Sequence, residues 1–267
     1  MGIQGLRIPK EHGAWAMLYV PFALGVLVAA RVTWAVLWVL LGATALFFVR
    51  ETLLRFRRAR RQGRAAPELR RALAVQLGVL ASAGVVLVFG QRLYALVPIA
   101  LLAGLLLASN LERAGQREER GLGSELLAVG GLAMTAPAAH YAALGAWQVQ
   151  AIGLWGLSLL YFASSVFHVK FRVLAVQPQR RVEYRRMRGF SIAYYLGLLV
   201  LLAVLVRAGR LQPLGLLAFL PILGRTTWSL LRPPLRLDLK RTGVLEILYS
   251  LFFLVFAWLA LRVGGSE

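Results

Sequence analysis

Residues 32–71 read VTWAVLWVLLGATALFFVRETLLRFRRARRQGRAAPELRR: an uncharged apolar run from 32 to 49, then Arg50, Arg55, Arg57, Arg58, Arg60, Arg61, Arg64, Arg70 and Arg71. A helix needs roughly 17 to 25 apolar residues to cross the hydrocarbon layer. Arginine crowded behind such a run marks the cytoplasmic face of a membrane, because short loops rich in Lys and Arg are retained there. The same alternation of apolar runs and basic clusters continues along the whole chain. It predicts an all-α, polytopic membrane bundle.

Nine stretches read as spans, at about 14–30, 32–49, 72–90, 93–109, 122–142, 147–167, 190–206, 211–224 and 243–261. The eighth is short and bracketed by Pro213 and Pro221, which leaves open a tilted or kinked span or one extended toward Leu230. None of the runs alternates with period two, so helices rather than barrel strands must satisfy the backbone inside the bilayer. Nine spans sort the 31 Lys and Arg residues cleanly: only Arg31, Arg92, Arg207, Arg210 and Arg262 fall on the side opposite the N-terminus. A miscount of one span would scramble that partition. The N-terminus is therefore expected in the cytoplasm and the C-terminus outside.

The chain has 267 residues, of which 59% are hydrophobic, and offers room for one integral membrane domain over 1–267 and no separate globular one. A net charge of +20 in a soluble protein would suggest nucleic acid. Here the charge lies beside the membrane, where it sets topology and attracts anionic headgroups, so the expected partners are membrane lipids and not nucleic acid. The absence of cysteine excludes disulfides, thiolate metal sites and thiol nucleophiles. The first span follows a basic start but lacks a small-x-small cleavage pattern and is followed at once by a second, so it reads as retained. The inside connections, near 50–71, 110–121, 168–189 and 225–242, are expected to be long basic loops, and a functional face would be built there.

Some polar residues at span ends ask for more than topology. Lys10, Glu11 and His12 enter the first span beside Trp15; they are suited to bind an anion, relay a proton or supply metal ligands, or else to anchor the helix at the interface. Glu51 precedes Arg55 and Arg58 at helical spacing, an ordinary ion-pair arrangement. Asn110 and Glu112 open a segment in which Glu118, Glu119 and Glu125 follow, acids that pair with neighbouring arginines; Glu125 caps a helix start or lines a cavity. His168, Lys170 and Arg172 leave the sixth span; on a strand they share a face, whereas on a helix they fan over about 200°. His140 reads as a structural hydrogen bonder, Asp238 as an ion-pair partner among Arg236, Lys240 and Arg241, and Glu246 as a candidate buried functional acid.

The runs PKEHGAWAMLYVPFALG at 9–25 and YFASSVFHVKFRV at 161–173 closely resemble the YwiC-like family of bacterial membrane proteins. That resemblance implies a membrane protein without implying an activity. A more distant resemblance, to the UbiA superfamily of intramembrane prenyltransferases, rests on nine helices, an inside N-terminus and functional loops after spans two and six. It implies a cavity open to lipid between two halves, spans one to four repeating in spans five to eight. The departure from that family is large: its aspartate-rich motifs hold magnesium diphosphate through carboxylates, while the chain's one aspartate, Asp238, lies in neither loop. Where those motifs should stand are Glu51 with arginines, and His168 with Lys170 and Arg172. No metal site is expected and no cofactor is assigned.

The expectation for the site is a cytoplasm-facing cationic cradle for a phosphate-bearing lipid such as an isoprenoid. Lys10, Glu51, Arg55, Asn110, Glu112, Lys170 and Arg172 would bind, and Glu11, His12 and His168 would do acid–base work. A divergent prenyl-transfer or lipid-processing enzyme would use it for chemistry, and a carrier for transport alone. An accessory protein of a membrane complex would need no such pocket.

Overall fold

The computed structural model describes residues 12–63, 65–115, 121–232 and 239–263, with the side chains at 12, 107, 110–115, 239–241 and 263 outside the description. Among the described residues the chain is helical and free of strands. The helices are α1 (His12–Ala29), α2 (Trp34–Arg61), α3 (Pro67–Val85), α4 (Leu96–Gly115), α5 (Leu122–Ala133), α6 (Thr135–Leu144), α7 (Gln150–Ala175), α8 (Arg181–Arg207), α9 (Leu220–Leu231) and α10 (Leu239–Val263). Seven helical stretches are long and apolar enough to cross a membrane: Trp34–Arg61, Pro67–Gly90, Leu122–Leu144, Gln150–Ala175, Pro178–Arg207, Pro213–Leu231 and Thr242–Arg262. The helices at the first and fourth expected spans, Gly13–Ala29 and Leu96–Leu106 by apolar extent, are shorter.

The basic connections expected as long loops are mostly helix. α2 continues to Arg61, twelve residues past the expected end at 49, α4 to Gly115 and α7 to Ala175, and α8 begins at Arg181. Arginine is a good helix former, so a charge that ends the membrane-embedded part of a helix does not end the helix itself. The described break after α2 begins with a turn at 62–63, and that between α7 and α8 is the short stretch 176–180.

Two spans are not uniform. The fifth divides into α5 and α6 at Met134, where Pro137 has no N–H to offer the carbonyl of residue 133. The eighth opens as a 3-10 stretch, Pro213–Phe219, and continues as α9 with Pro221 in its first turn. The helix thus runs past 224 to Leu231, the extension toward Leu230 that the bracketing prolines leave open. The reason is that Pro221 sits where a helix tolerates proline, in its first turn, so it starts α9 rather than ending a span.

The chain forms two compact units that part inside α7, Met1–Trp155 and Gly156–Glu267. In the first, α1 and α6 approach so closely that a Cβ on Gly25 would lie 2.3 Å from the carbonyl oxygen of Ala136. Small residues permit such contact where lipid supplies no hydrophobic drive for helices to associate. Polar side chains join the same helices: the Thr135 hydroxyl donates to Leu18 O at 2.9 Å, Thr33 to Ala142 O at 3.1 Å, and the Trp155 indole to Gly130 O at 3.1 Å. Thr33 also caps α2 by accepting from Val36 N. In the second unit, Tyr194 and Tyr195 of α8 donate to the carbonyls of Leu160 and Ser164 on α7.

Candidate functional site

Three helices of the second unit each turn one face toward a common cavity of about 240 Å³, lined by His168 and Arg172 of α7, Arg225, Trp228 and Ser229 of α9, and Thr242, Leu245, Glu246 and Tyr249 of α10. The spacings explain the convergence. His168 and Arg172 are four apart, Arg225 and Ser229 four apart, and Thr242, Glu246 and Tyr249 at four and seven, all repeats that share a helix face.

Arg225 is the centre of the arrangement. Its side chain is 7% exposed, its guanidinium pairs with the carboxylate of Glu246, itself 12% exposed, and it also donates to Ser165 Oγ at 3.2 Å. Ser165 in turn donates to the other oxygen of Glu246 at 2.7 Å. Tyr195 hydrogen-bonds Arg225, and the Tyr249 ring lies 5.4 Å from the guanidinium carbon. Arg172 has no carboxylate partner among the described residues; it donates to Thr242 Oγ1 at 3.2 Å. Three buried nitrogens lining this cavity lack any hydrogen-bond partner there: His168 Nδ1, Arg172 Nε and Arg225 Nε. Native proteins rarely leave such groups unpaired, and each is costly in a medium that cannot solvate it.

A group of packed rings stands on the same helices as the polar cluster. Tyr161 stacks on Phe253 with centroids 4.1 Å apart, and Phe162 and Phe219 meet the same pair edge-on or tilted. Tyr161 precedes His168 on α7, Phe219 precedes Arg225, and Phe253 follows Tyr249, so each chain carries the aromatic layer on the same side of the cavity. On the cavity wall Trp228 is 60% exposed, with Arg232 stacked over it.

The sequence-expected residues distribute unevenly. His168 and Arg172 come together in the cavity. Lys170, which an extended strand would have placed beside them, does not line it, because α7 is helical there and rotates it about 200° away from His168. Glu51 and Arg55 belong to α2 in the first unit, where Glu51 accepts from Arg50 at 2.7 Å. Asn110 and Glu112 lie on α4 and His12 begins α1, all with side chains outside the description; Lys10 and Glu11 lie outside the described residues altogether. Arg225 was counted with the topology-setting cations. The signal that finds it is the helix that Pro221 opens and that continues to Leu231, which puts Arg225 and Ser229 on one face.

These features define a multi-pass helical membrane protein whose second unit buries an Arg–Glu–Ser cluster beside a cationic cavity. The chain belongs to the YwiC-like protein family, which it matches over residues 8–140, about half its length. The match ends within α6, so every residue lining the cavity lies beyond it. No curated protein and no solved structure matches the chain.

Proposed function

We propose that this is a nine-span protein of the bacterial cell membrane, with a cytoplasmic N-terminus, whose second unit holds the phosphate-bearing headgroup of a membrane lipid between His168, Arg172 and Arg225. The observation that carries the reading is the set of unpartnered buried nitrogens facing one cavity. Intramembrane ionisable groups are expensive and mark ligand or ion sites, and guanidinium N–H groups match phosphate oxygens in geometry and charge. The cavity is smaller than the ~300 to 1,000 Å³ typical of sites that swallow a whole ligand. A headgroup fits it, while the apolar tail leaves past the exposed face of Trp228. Glu246, the one carboxylate in the lining, is already paired with Arg225, so the phosphate is held directly by cations and not through magnesium.

The enzymatic form of this proposal is a UbiA-like lipid- or isoprenoid-processing protein without the aspartate motifs, in which His168, a cavity-lining imidazole, would transfer protons. A four-and-four repeat would part the chain after the fourth span, whereas the units part inside α7, so support rests on the pocket rather than on the full analogy. A carrier would use the same cavity; the packed rings of Tyr161, Phe219 and Phe253 on the same helices support binding over passage.

The test is titration of the purified protein in detergent with a short-chain prenyl diphosphate. Arg172→Gln should weaken binding by about 1.5 to 3 kcal/mol, the worth of a hydrogen bond to a charged group, while Arg60→Gln and Arg181→Gln, at exposed positions, should leave it unchanged. Equal affinities in all variants would overturn the reading. Orientation is checked separately: a reporter active only outside the membrane should be silent at Gly63 and active after Glu267.

A further inference from the structure

We infer that Glu246 is the resident anion of this site, seated on Arg225 until an incoming phosphate displaces it; the inference rests on the phosphate-pocket reading above. Glu246 spans both groups that hold it, one oxygen on the Arg225 guanidinium and the other on Ser165 Oγ, while Arg225 itself reaches Ser165. Each of those donors is also suited to a phosphate oxygen. The groups around the carboxylate are Ser165, His168 and Arg172 from α7, Arg225 from α9, Tyr195 from α8 through its bond to Arg225, and Thr242 and Tyr249 from its own helix. Among the described lining residues, two guanidiniums thus share the cavity with one carboxylate.

That imbalance fixes how the site treats charge. With Glu246 in place, Arg172 is the cation that still needs an anion, and a singly charged phosphodiester brings the cavity to neutrality. A phosphomonoester carries about −1.5 to −2 at neutral pH and would overfill it, so a dianion has to drive Glu246 off Arg225 and take both guanidiniums. Glu246 therefore raises the concentration at which a headgroup with two or more charges, prenyl diphosphate included, fills the site without barring it. The same geometry admits a lipid headgroup and a free phosphate, which differ only in whether an apolar tail is present.

Three probes decide the matter by titration in detergent: short-chain phosphatidic acid as a phosphomonoester, short-chain phosphatidylglycerol as a phosphodiester, and inorganic phosphate. Removing a competing like charge is expected to tighten phosphatidic acid binding by at least about tenfold in Glu246→Gln, with a smaller gain for phosphatidylglycerol. Glu246→Asp keeps the charge that Arg225 needs for folding but shortens its reach, and should tighten phosphatidic acid binding in the same direction by less. If either variant binds phosphatidic acid as the unaltered protein does or more weakly, while Arg172→Gln still loses affinity, Glu246 positions Arg225 instead of competing for it and the inference falls alone. If Arg172→Gln binds every probe normally, the pocket reading itself fails. Inorganic phosphate binding as tightly as phosphatidic acid makes free phosphate the source, and binding of the lipids alone makes it the headgroup.

Discussion

The two units use buried polar groups in opposite ways. In the first, Met1–Trp155, the bonds that join helices include several between neutral groups: Thr135 donates to Leu18 O, Thr33 to Ala142 O and Trp155 to Gly130 O, the Tyr141 hydroxyl accepts from Ala95 N, and the Tyr19 and Thr44 hydroxyls meet at 3.2 Å. Such bonds hold helices together and ask for no ligand. In the second, Gly156–Glu267, the polar residues carry full charges, bond one another, and leave nitrogens unpaired around a cavity. The difference separates polar groups that serve as adhesive from polar groups that serve as a site. The criterion is whether charged groups with unpaired nitrogens converge on one cavity; the first unit also leaves buried atoms unpartnered, Gln76 Oε1 and His140 Nδ1, but they stand on separate helices, α3 and α6, and neither lines that cavity.

The contrast is broken most sharply at Arg225. Replacing it with Met leaves Glu246 buried without its counter-charge, and removing one partner of a buried pair costs about 3 to 5 kcal/mol. Replacing both, Arg225→Met with Glu246→Leu, should recover most of that loss, because well-packed apolar residues substitute for a buried pair at little cost. Unfolding in a denaturing detergent titration checks the stability, and hydrogen exchange in α9 and α10 checks its location. A double variant no better than the single one would mean that the second unit needs the charges for its fold, which would erase the distinction between site and adhesive.

A smaller loss is expected at Gly25. With Ala136 O only 2.3 Å from the position of an added Cβ, and backbone rather than a flexible side chain in the way, α1 and α6 must separate to admit even alanine. Overpacking of this kind costs about 1 to 3 kcal/mol. The damage should stay in the first unit, leaving anion binding by the second intact. The readouts are the same unfolding titration and the prenyl diphosphate affinity.

How much of this was visible beforehand follows from what charge and periodicity encode. The apolar runs located the helices, since hydrocarbon thickness sets their length whatever they pack against. His168 and Arg172 were legible because a histidine at a span end is not needed for topology, and Glu246 because a carboxylate one turn into an apolar run is costly. Arg225 was not, for a specific reason: placing the end of the eighth span at 224 put it one residue outside, where an arginine needs no explanation. Whether Lys170 shares a face with His168 depends on strand or helix geometry that juxtamembrane composition does not reveal, and the helix leaves it out of this cavity's lining. The continuation of α2 to Arg61 was missed because the charge pattern reports where hydrocarbon ends, not where a helix does.

The smallest expected effect sharpens the comparison from the adhesive side. Thr135 begins α6, is 7% exposed, and shares its hydroxyl proton between Leu132 O at 2.8 Å and Leu18 O at 2.9 Å. Within α1, Pro21 offers no N–H to the turn that contains Leu18, so the contact braces a helix that proline has weakened. Thr135→Val keeps the β-branched shape and removes only the hydroxyl. The carbonyl of Leu18 retains the amide of Phe22 as a potential helical donor, so losing the side chain does not orphan it, and polar contacts between membrane helices average about 0.6 kcal/mol with a maximum near 1.7. A loss in that range, measured by the same titration, with lipid binding unchanged, is what a satisfied neutral contact should give. A loss as large as that of Arg225→Met would mean that Thr135 carries more than adhesion, and that the first unit too contains a site.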